Sequence, residues 1–358
     1  MKQHKILGVM SGTSLDGLDL CYCHIGNTKG NWSFEIIKSK SIAYSSAMQT
    51  ELKDSIYLKA EDLLQFHNTY GTWLGEQVKQ FIEAEKLDPE YIASHGHTTH
   101  HRPEKGLTFQ IGSGQHLANA CGHKVICDFR TNDVALGGQG APLVPIGDQL
   151  FFEEYDFCLN LGGISNISLV QKGKRIAYDI GLANMILNYI TRKIDLDYDD
   201  EGALARSGHI NEAMLTKLNA LRYYLLPHPK SIGYEWFVEE VVPIVEACDD
   251  TTENLLHTSV HHICEKVAQQ IKLNSTKDQN TLFVTGGGAL NHFLIEVLSK
   301  KLMGHTEVIV PEREIIEFKE ALVFALMGAL RAEKEINVLK SVTGAKRDSS
   351  SGVIYLPA

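Results

Sequence analysis

Gly8-Val9-Met10-Ser11-Gly12-Thr13-Ser14-Leu15-Asp16-Gly17-Leu18-Asp19 joins two apolar runs near the start of the chain. It combines three properties of a phosphate site. Gly12 and Gly17 allow a tight turn and bring backbone N–H groups close to an anion. Ser11, Thr13 and Ser14 add neutral donors. Asp16 and Asp19 would repel a phosphate unless a cation, usually Mg2+, lay between them. The plainer alternative is a hairpin, because Asp-Gly is a common turn pair. A hairpin needs one such pair, and this loop carries two glycines, three hydroxyls and two acids.

The same order of elements occurs twice along the chain. Residues 5–10 and 18–25 read as strands flanking the loop, and 34–44 as a third. Leu63, Phe66, Tyr70, Leu74, Val78 and Phe81 recur at three- and four-residue steps, which predicts a helix over 61–83. Tyr91–Ser94 is a short strand ending in His95-Gly96, and 115–120 a short helix. The order then restarts: the strand Phe157–Leu161, the turn Gly162–Asn166 and the returning strand Ile167–Val170. Residues 251–273 and 290–302 read as helices around the strand Thr281–Val284. Two strand–glycine turn–strand openings predict a duplicated α/β fold with a cleft faced by both turns. Residues 319–333 form a late amphipathic helix, with Leu322, Leu326 and Leu330 on one side. The polar stretch from Ser341 to Gly352 has the composition of a mobile surface loop.

Bulk composition narrows the class. A chain of 358 residues suggests two domains, each with a sizeable core. The net charge of −10 argues against a nucleic-acid partner held by phosphate contacts, but leaves room for a bound nucleotide. No apolar run has the length of a membrane span, and Ile6–Val9 is too short for a signal-peptide core, so no membrane partner and a cytoplasmic location are expected. The seven cysteines contain no Cys-x-x-Cys pair and lie mostly in apolar runs, as buried reduced thiols do.

Four further constellations bear on chemistry. Thr285-Gly286-Gly287-Gly288-Ala289-Leu290-Asn291 follows a strand and opens a helix, a context that receives nucleotides, although neither a dinucleotide nor a P-loop pattern is present. Asp179 ends an apolar run just before a helix start, where an acid acts either as a general base or as a cap. Gly137–Pro145 cannot form a regular element, and Arg130 just before it suits a carboxylate or phosphate. His95, His97, His100 and His101 cluster, as do His257, His261 and His262. Neither group has the flanking acid of a zinc motif, so a substrate-facing role for the first is preferred to metal.

These segments together resemble the anhydro-N-acetylmuramic acid kinase family, of the sugar kinase, hsp70 and actin superfamily. The resemblance rests on residues 8–19, Ser-His-Gly-His-Thr (94–98) and the run from Asp128 to Pro145. It continues in Asn-Leu-Gly-Gly-Ile-Ser-Asn (160–166), Pro-Lys-Ser-Ile-Gly (229–233) and Gly-Gly-Gly-Ala-x-Asn (286–291). Lys-Glu-Ala-Leu-x-Phe-Ala (319–325) and Ser-Val-Thr-Gly-Ala (341–345) complete it.

The resemblance implies two ribonuclease-H-like (actin-like ATPase) domains: residues 1–126 with about 340–358, and 127–339. It implies ATP, with Mg2+ held through the phosphates and by Asp16 or Asp19. Gly12, Thr13, Ser14, Leu15, Asp16, Gly17, Leu18 and Asp19 would form the first phosphate loop. Gly162 and Gly163 would belong to the second, and Gly286, Gly287 and Gly288 would lie near adenosine. The implied reaction opens the 1,6-anhydro bridge of the sugar with water and phosphorylates the freed 6-oxygen, in peptidoglycan recycling. The family's base falls on Asp179. His95, Arg130, Gln139, Asn184 and Glu320 are the candidate sugar contacts, Arg130 for the carboxylate. The sugar would be the small-molecule partner, and a homodimer is suggested. The chain departs from the family's usual Asp-Thr-Gly-Pro-Gly-Asn at Ile180, Leu182 and Ala183, from Ser-His-Gly-Gln at His97, and from Lys-Ser-Thr-Gly at Ile232.

Overall fold

The computed structural model describes residues 2–12 and 15–358; Thr13 and Ser14 of the opening loop lie outside the described residues. β1 (Lys2–Ser11), β2 (Gly17–Thr28) and β3 (Asn31–Ala43) form an antiparallel meander. β4 (Tyr91–Ser94) adds parallel to β1, on the side away from β2. β5 (His97–Arg102) and β6 (Leu107–Ile111) make a separate two-stranded ribbon. β7 (Val125–Cys127) pairs parallel with β4, and the last strand, Val353–Tyr355, closes that edge antiparallel to β7. Across the sheet the order is therefore β3-β2-β1-β4-β7 and the terminal strand.

The second sheet repeats this plan. β8 (Phe157–Leu161), β9 (Ile164–Gln171) and β10 (Lys174–Leu182) form the meander. β11 (Asn280–Thr285) and β12 (Thr306–Ile309) add in parallel, giving the order β10-β9-β8-β11-β12. Three antiparallel strands followed by two parallel ones, twice, is the duplicated ribonuclease-H-like architecture. Both first strands are buried along most of their length, as strands covered on both faces are.

Helices cover the sheets with the predicted stripes. Ala60–Glu85 buries Tyr70, Leu74, Val78 and Phe81 and ends at Lys86, in the left-handed conformation. Thr252–Asn274 starts where the Thr251 hydroxyl caps the Asn254 N–H, and buries Leu256, Val260, Ile263, Val267 and Ile271 in the core of the second unit. The helix predicted from 290 begins at His292, because Gly287–Leu290 forms a turn of 3-10 helix first.

The chain divides into two compact units, residues 1–152 with 318–358, and 153–317. The expected boundaries near 126 and 340 thus sit differently from the observed ones. The cause is the helix Arg313–Ala332. From Phe318 onward it packs on β1, so closely that a β-carbon on Gly8 would overlap the Ala321 carbonyl. Lys319 also pairs with Asp148 at 2.8 Å, with both side chains buried. The stretch from Ser341 to Gly352 is not a free loop. Thr343, Ser349 and Ser351 are buried, Thr343 donates to Asp133 (2.7 Å) and the Ser351 N–H donates to Asn337 (2.7 Å).

Candidate active site

In the first unit, β1 ends at Ser11, which pairs antiparallel with Leu18 of β2, so the opening loop lies where β1 turns into β2. Leu15 has φ of 63° and its N–H reaches the Gly12 carbonyl at 3.3 Å. Asp16 is exposed, while Asp19 is half-buried and accepts from the Ser41 hydroxyl at 2.7 Å. Ser11 differs from expectation. Its hydroxyl is buried, accepts from Tyr44 (2.8 Å) and Tyr70 (2.9 Å), and lies 3.2 Å from His97 Nδ1. It ties β1 to the core and is not presented to a ligand.

The candidate sugar contacts His95, Arg130 and Glu320 come together in this unit. His95 is buried at the end of β4; its Nδ1 pairs with the Gly96 carbonyl (2.9 Å), which leaves Nε2 to accept from Arg130 Nε (2.9 Å). That pattern requires a neutral ring. Burial, then the Arg130 charge, holds its pKa well below the ordinary histidine value. Arg130 also donates to the Gly140 carbonyl. Burial lowers its pKa to about 10, against the pull of Glu320 and Asp133. Glu320 is solvent-accessible though densely surrounded; desolvation and Asp19 raise its carboxyl pKa, and Arg130 lowers it. Asp133 is fully buried and holds the glycine-rich loop through the Gly140 N–H (2.8 Å) and Thr343. Gln139 donates its N–H to Thr343 and leaves its side chain exposed beside Gly140.

The second unit brings the other glycine turns together. Gly162 and Gly163 link β8 to β9, and their carbonyls accept the N–H groups of Asn184, Ala183 and Met185, each at 3.0 Å. Asn184 donates from its amide to the Leu161 carbonyl at 3.1 Å, so it belongs with these turns. Gly286, at φ 80°, crosses β8 so closely that a β-carbon would stand 2.8 Å from the Leu161 carbonyl. Its neighbour Gly287 is exposed.

Asp179 lies in β10, before a register shift at Gly181. The segment from Tyr223 to Ile232 runs along it as a strap. The Asp179 N–H donates to the Lys230 carbonyl (3.1 Å), the Ile232 N–H donates to Oδ2 (3.1 Å), and the Tyr223 hydroxyl donates to the Asp179 carbonyl (2.8 Å). Among the described residues, Oδ1 accepts no hydrogen bond. Burial raises the pKa of this half-buried carboxyl, opposed by the Ile232 N–H and by Lys230. It is a carboxylate fixed through one oxygen, with its basicity raised and its other oxygen available.

Tyr223 was not legible as a site residue, and Lys230 stood only as one letter of a motif; both act through contacts distant in sequence. The departures from the family pattern are also placed. Ile180, Leu182 and Ala183 are buried in the core of the second unit, and Ile232 packs against it. Ile232 serves Asp179 through its backbone, so the side-chain change leaves that hydrogen bond intact. His97 is buried, and desolvation lowers its pKa to about 4. His262 in the other cluster is engaged by Tyr224 and Asn219, each at 2.8 Å.

A sequence model of the family described as anhydro-N-acetylmuramic acid kinase matches residues 4–357. A protein of that name from Aliivibrio fischeri is 34% identical over 98% of this chain and 99% of its own length. One from Sulfurimonas denitrificans is 32% identical over 98% of each. One from Actinobacillus pleuropneumoniae is 33% identical over 99% of this chain and 100% of its own.

Proposed function

This chain belongs to the anhydro-N-acetylmuramic acid kinase family, and from that membership we propose the reaction it catalyses. It is a phosphotransferase that opens 1,6-anhydro-N-acetylmuramic acid with water and moves the γ-phosphoryl group of ATP to the freed 6-oxygen. The products are N-acetylmuramate 6-phosphate and ADP, a step of peptidoglycan recycling. The water oxygen bonds to C1 as the C1–O6 bond breaks. The O6 electron pair then bonds to the γ-phosphorus as its bond to the β,γ-bridging oxygen breaks.

Asp179 is the general base that takes the proton from water. The observation that carries this role is its clasp: Oδ2 held by the Ile232 N–H, Oδ1 accepting no hydrogen bond among the described residues, and the pKa raised by burial. Arg130 receives the sugar carboxylate, since His95 and Gly140 use only part of its donor set. His95 orients it, and Gln139, Asn184 and Glu320 are further sugar contacts. The backbone of Gly12 to Asp19, with Thr13 and Ser14, takes phosphate oxygens. Gly162 and Gly163 take others, and Gly286 to Gly288 lie by the nucleoside, with the exposed Gly287 as the closest approach.

Asp19 suits Mg2+, which prefers one or two carboxylates beside substrate phosphates. Mg2+ bound there, or by Asp16, would neutralise charge on the transferred phosphoryl group. The reading carries a cytoplasmic, homodimeric protein; no helix among the described residues is long and apolar enough to cross a membrane. The test is incubation with ATP, Mg2+ and the anhydro sugar, followed by mass spectrometry. A 6-phosphorylated N-acetylmuramate is expected, and its absence would overturn the proposal.

A further inference from the structure

The segment that clasps Asp179 also walls a cavity of about 500 Å³, formed within the second unit by residues between 222 and 240. Two of its lining residues hold the base directly. The Ile232 N–H donates to Asp179 Oδ2 at 3.1 Å, and the Tyr223 hydroxyl donates to the Asp179 carbonyl at 2.8 Å. Tyr223, Leu226, Ile232 and Trp236 give the cavity apolar walls. The Trp236 ring is half-buried and stands 5.3 Å from the Tyr223 ring and 6.4 Å from that of Tyr224. The charged groups of the lining are Arg222, Glu235 and Glu240, one cation against two acids. We propose that this cavity receives the 2-acetamido group of the anhydro sugar, its methyl against Trp236, Leu226 and Ile232. This inference rests on the reading of Asp179 as the base for bridge opening.

The chemistry of the substrate places that group here. Water deprotonated by Asp179 attacks C1, and the acetamido group is carried by C2, one bond away. With C1 facing the base, the C2 substituent lies against the surfaces bonded to the base, which are those of Tyr223 and Ile232. The other large substituent, on C3, ends in a carboxylate. The excess of acids along the lining repels that anion and accepts a neutral amide. An acetamido group joins an apolar methyl to a polar amide, and the cavity likewise joins apolar walls to a few polar groups, as small-molecule sites do. The wall is also fixed in place. Tyr223 commits its hydroxyl to Asp179 and carries Lys230 Nζ 4.5 Å from its ring centre.

The experiment compares kcat/KM for the anhydro sugar with that for its N-formyl counterpart, on the full-length chain at saturating ATP. The counterpart stays neutral and replaces only the methyl by hydrogen. One such group in an apolar pocket is worth about tenfold or more. The wild type should favour the N-acetyl sugar by about that factor, chiefly through KM. Trp236→Ala should abolish the preference by raising KM for the N-acetyl sugar, with KM for ATP unmoved. Leu226→Asp, at a side chain 44% exposed, should do the same, and keeps the test open should the tryptophan variant fold poorly by thermal melting. Equal kcat/KM for the two sugars in the wild type would overturn the proposal, as would a preference that survives in both variants. Full activity in Asp179→Asn would instead remove the base on which the placement rests, and so separates the two failures.

Discussion

Replacing Asp179 by asparagine separates catalysis from stability. The substitution keeps the shape, and the amide oxygen can still accept from the Ile232 N–H that now holds Oδ2. The Asp179 N–H and carbonyl bonds to the strap are backbone bonds and survive. What disappears is the negative charge and the capacity to take a proton. Positioned general bases contribute about 100- to 10,000-fold, or about 3–5 kcal/mol of barrier. Turnover should fall by that factor, with ATP binding retained.

Stability should move the other way. Burial raises the Asp179 pKa above its ordinary value of 3.8. The native state thus holds this proton more tightly than the unfolded chain. That favours folding at low pH, and the advantage is lost as pH rises from the unfolded to the folded pKa. At neutral pH the ionised carboxylate is a cost that asparagine removes, so the variant should melt at the wild-type temperature or slightly above. The assays are steady-state kinetics with the anhydro sugar, nucleotide binding by calorimetry, and a thermal melt at pH 7. Activity within a few-fold of wild type would refute the role of base. A loss of activity that tracks a drop of several degrees in Tm would show a structural residue instead.

Other perturbations probe the frame around the site. Gly286→Ala combines a φ of 80° with a β-carbon 2.8 Å from the Leu161 carbonyl. It should cost about 2–5 kcal/mol, read by urea unfolding, and a change below about 0.5 kcal/mol would contradict the packing described. Lys319→Met breaks the buried pair with Asp148 and should destabilise by about 3–5 kcal/mol. Adding Asp148→Leu should recover most of that loss, and equal stability of the single variant and wild type would argue against the ion pair. Burial lowers the pKa of His97 to about 4 and of His262 to about 3, from 6.5. The unfolded chain then binds these protons first, so Tm should fall as pH drops from about 6.5 toward 4, and His97→Gln should shrink that slope. A Tm independent of pH over this window would count against neutral buried rings.

Much of the architecture was legible in residue order, because it depends on local patterns. The stripe from Leu63 to Phe81 implied its helix, and the glycine turns after β1 and β8 marked the start of each repeat. The boundary between units was not legible. It depends on the helix Arg313–Ala332 lying against Gly8, a contact between segments some 300 residues apart that no local pattern announces. The burial of Ser11 escaped for the same reason. A serine next to Gly12 in a hydroxyl-rich loop has the composition of a ligand donor, and only packing brings Tyr44 and Tyr70 to its hydroxyl.

Motif order and residue chemistry are enough to specify the family, the duplicated α/β plan and the identity of the proposed base. The environment that gives those residues their properties comes from packing. Asp179 is an ordinary carboxylic acid in any list of letters. It becomes a held, half-buried carboxylate only when residues 223–232 fold back along β10, because hydrogen-bond direction and desolvation are properties of three-dimensional neighbours.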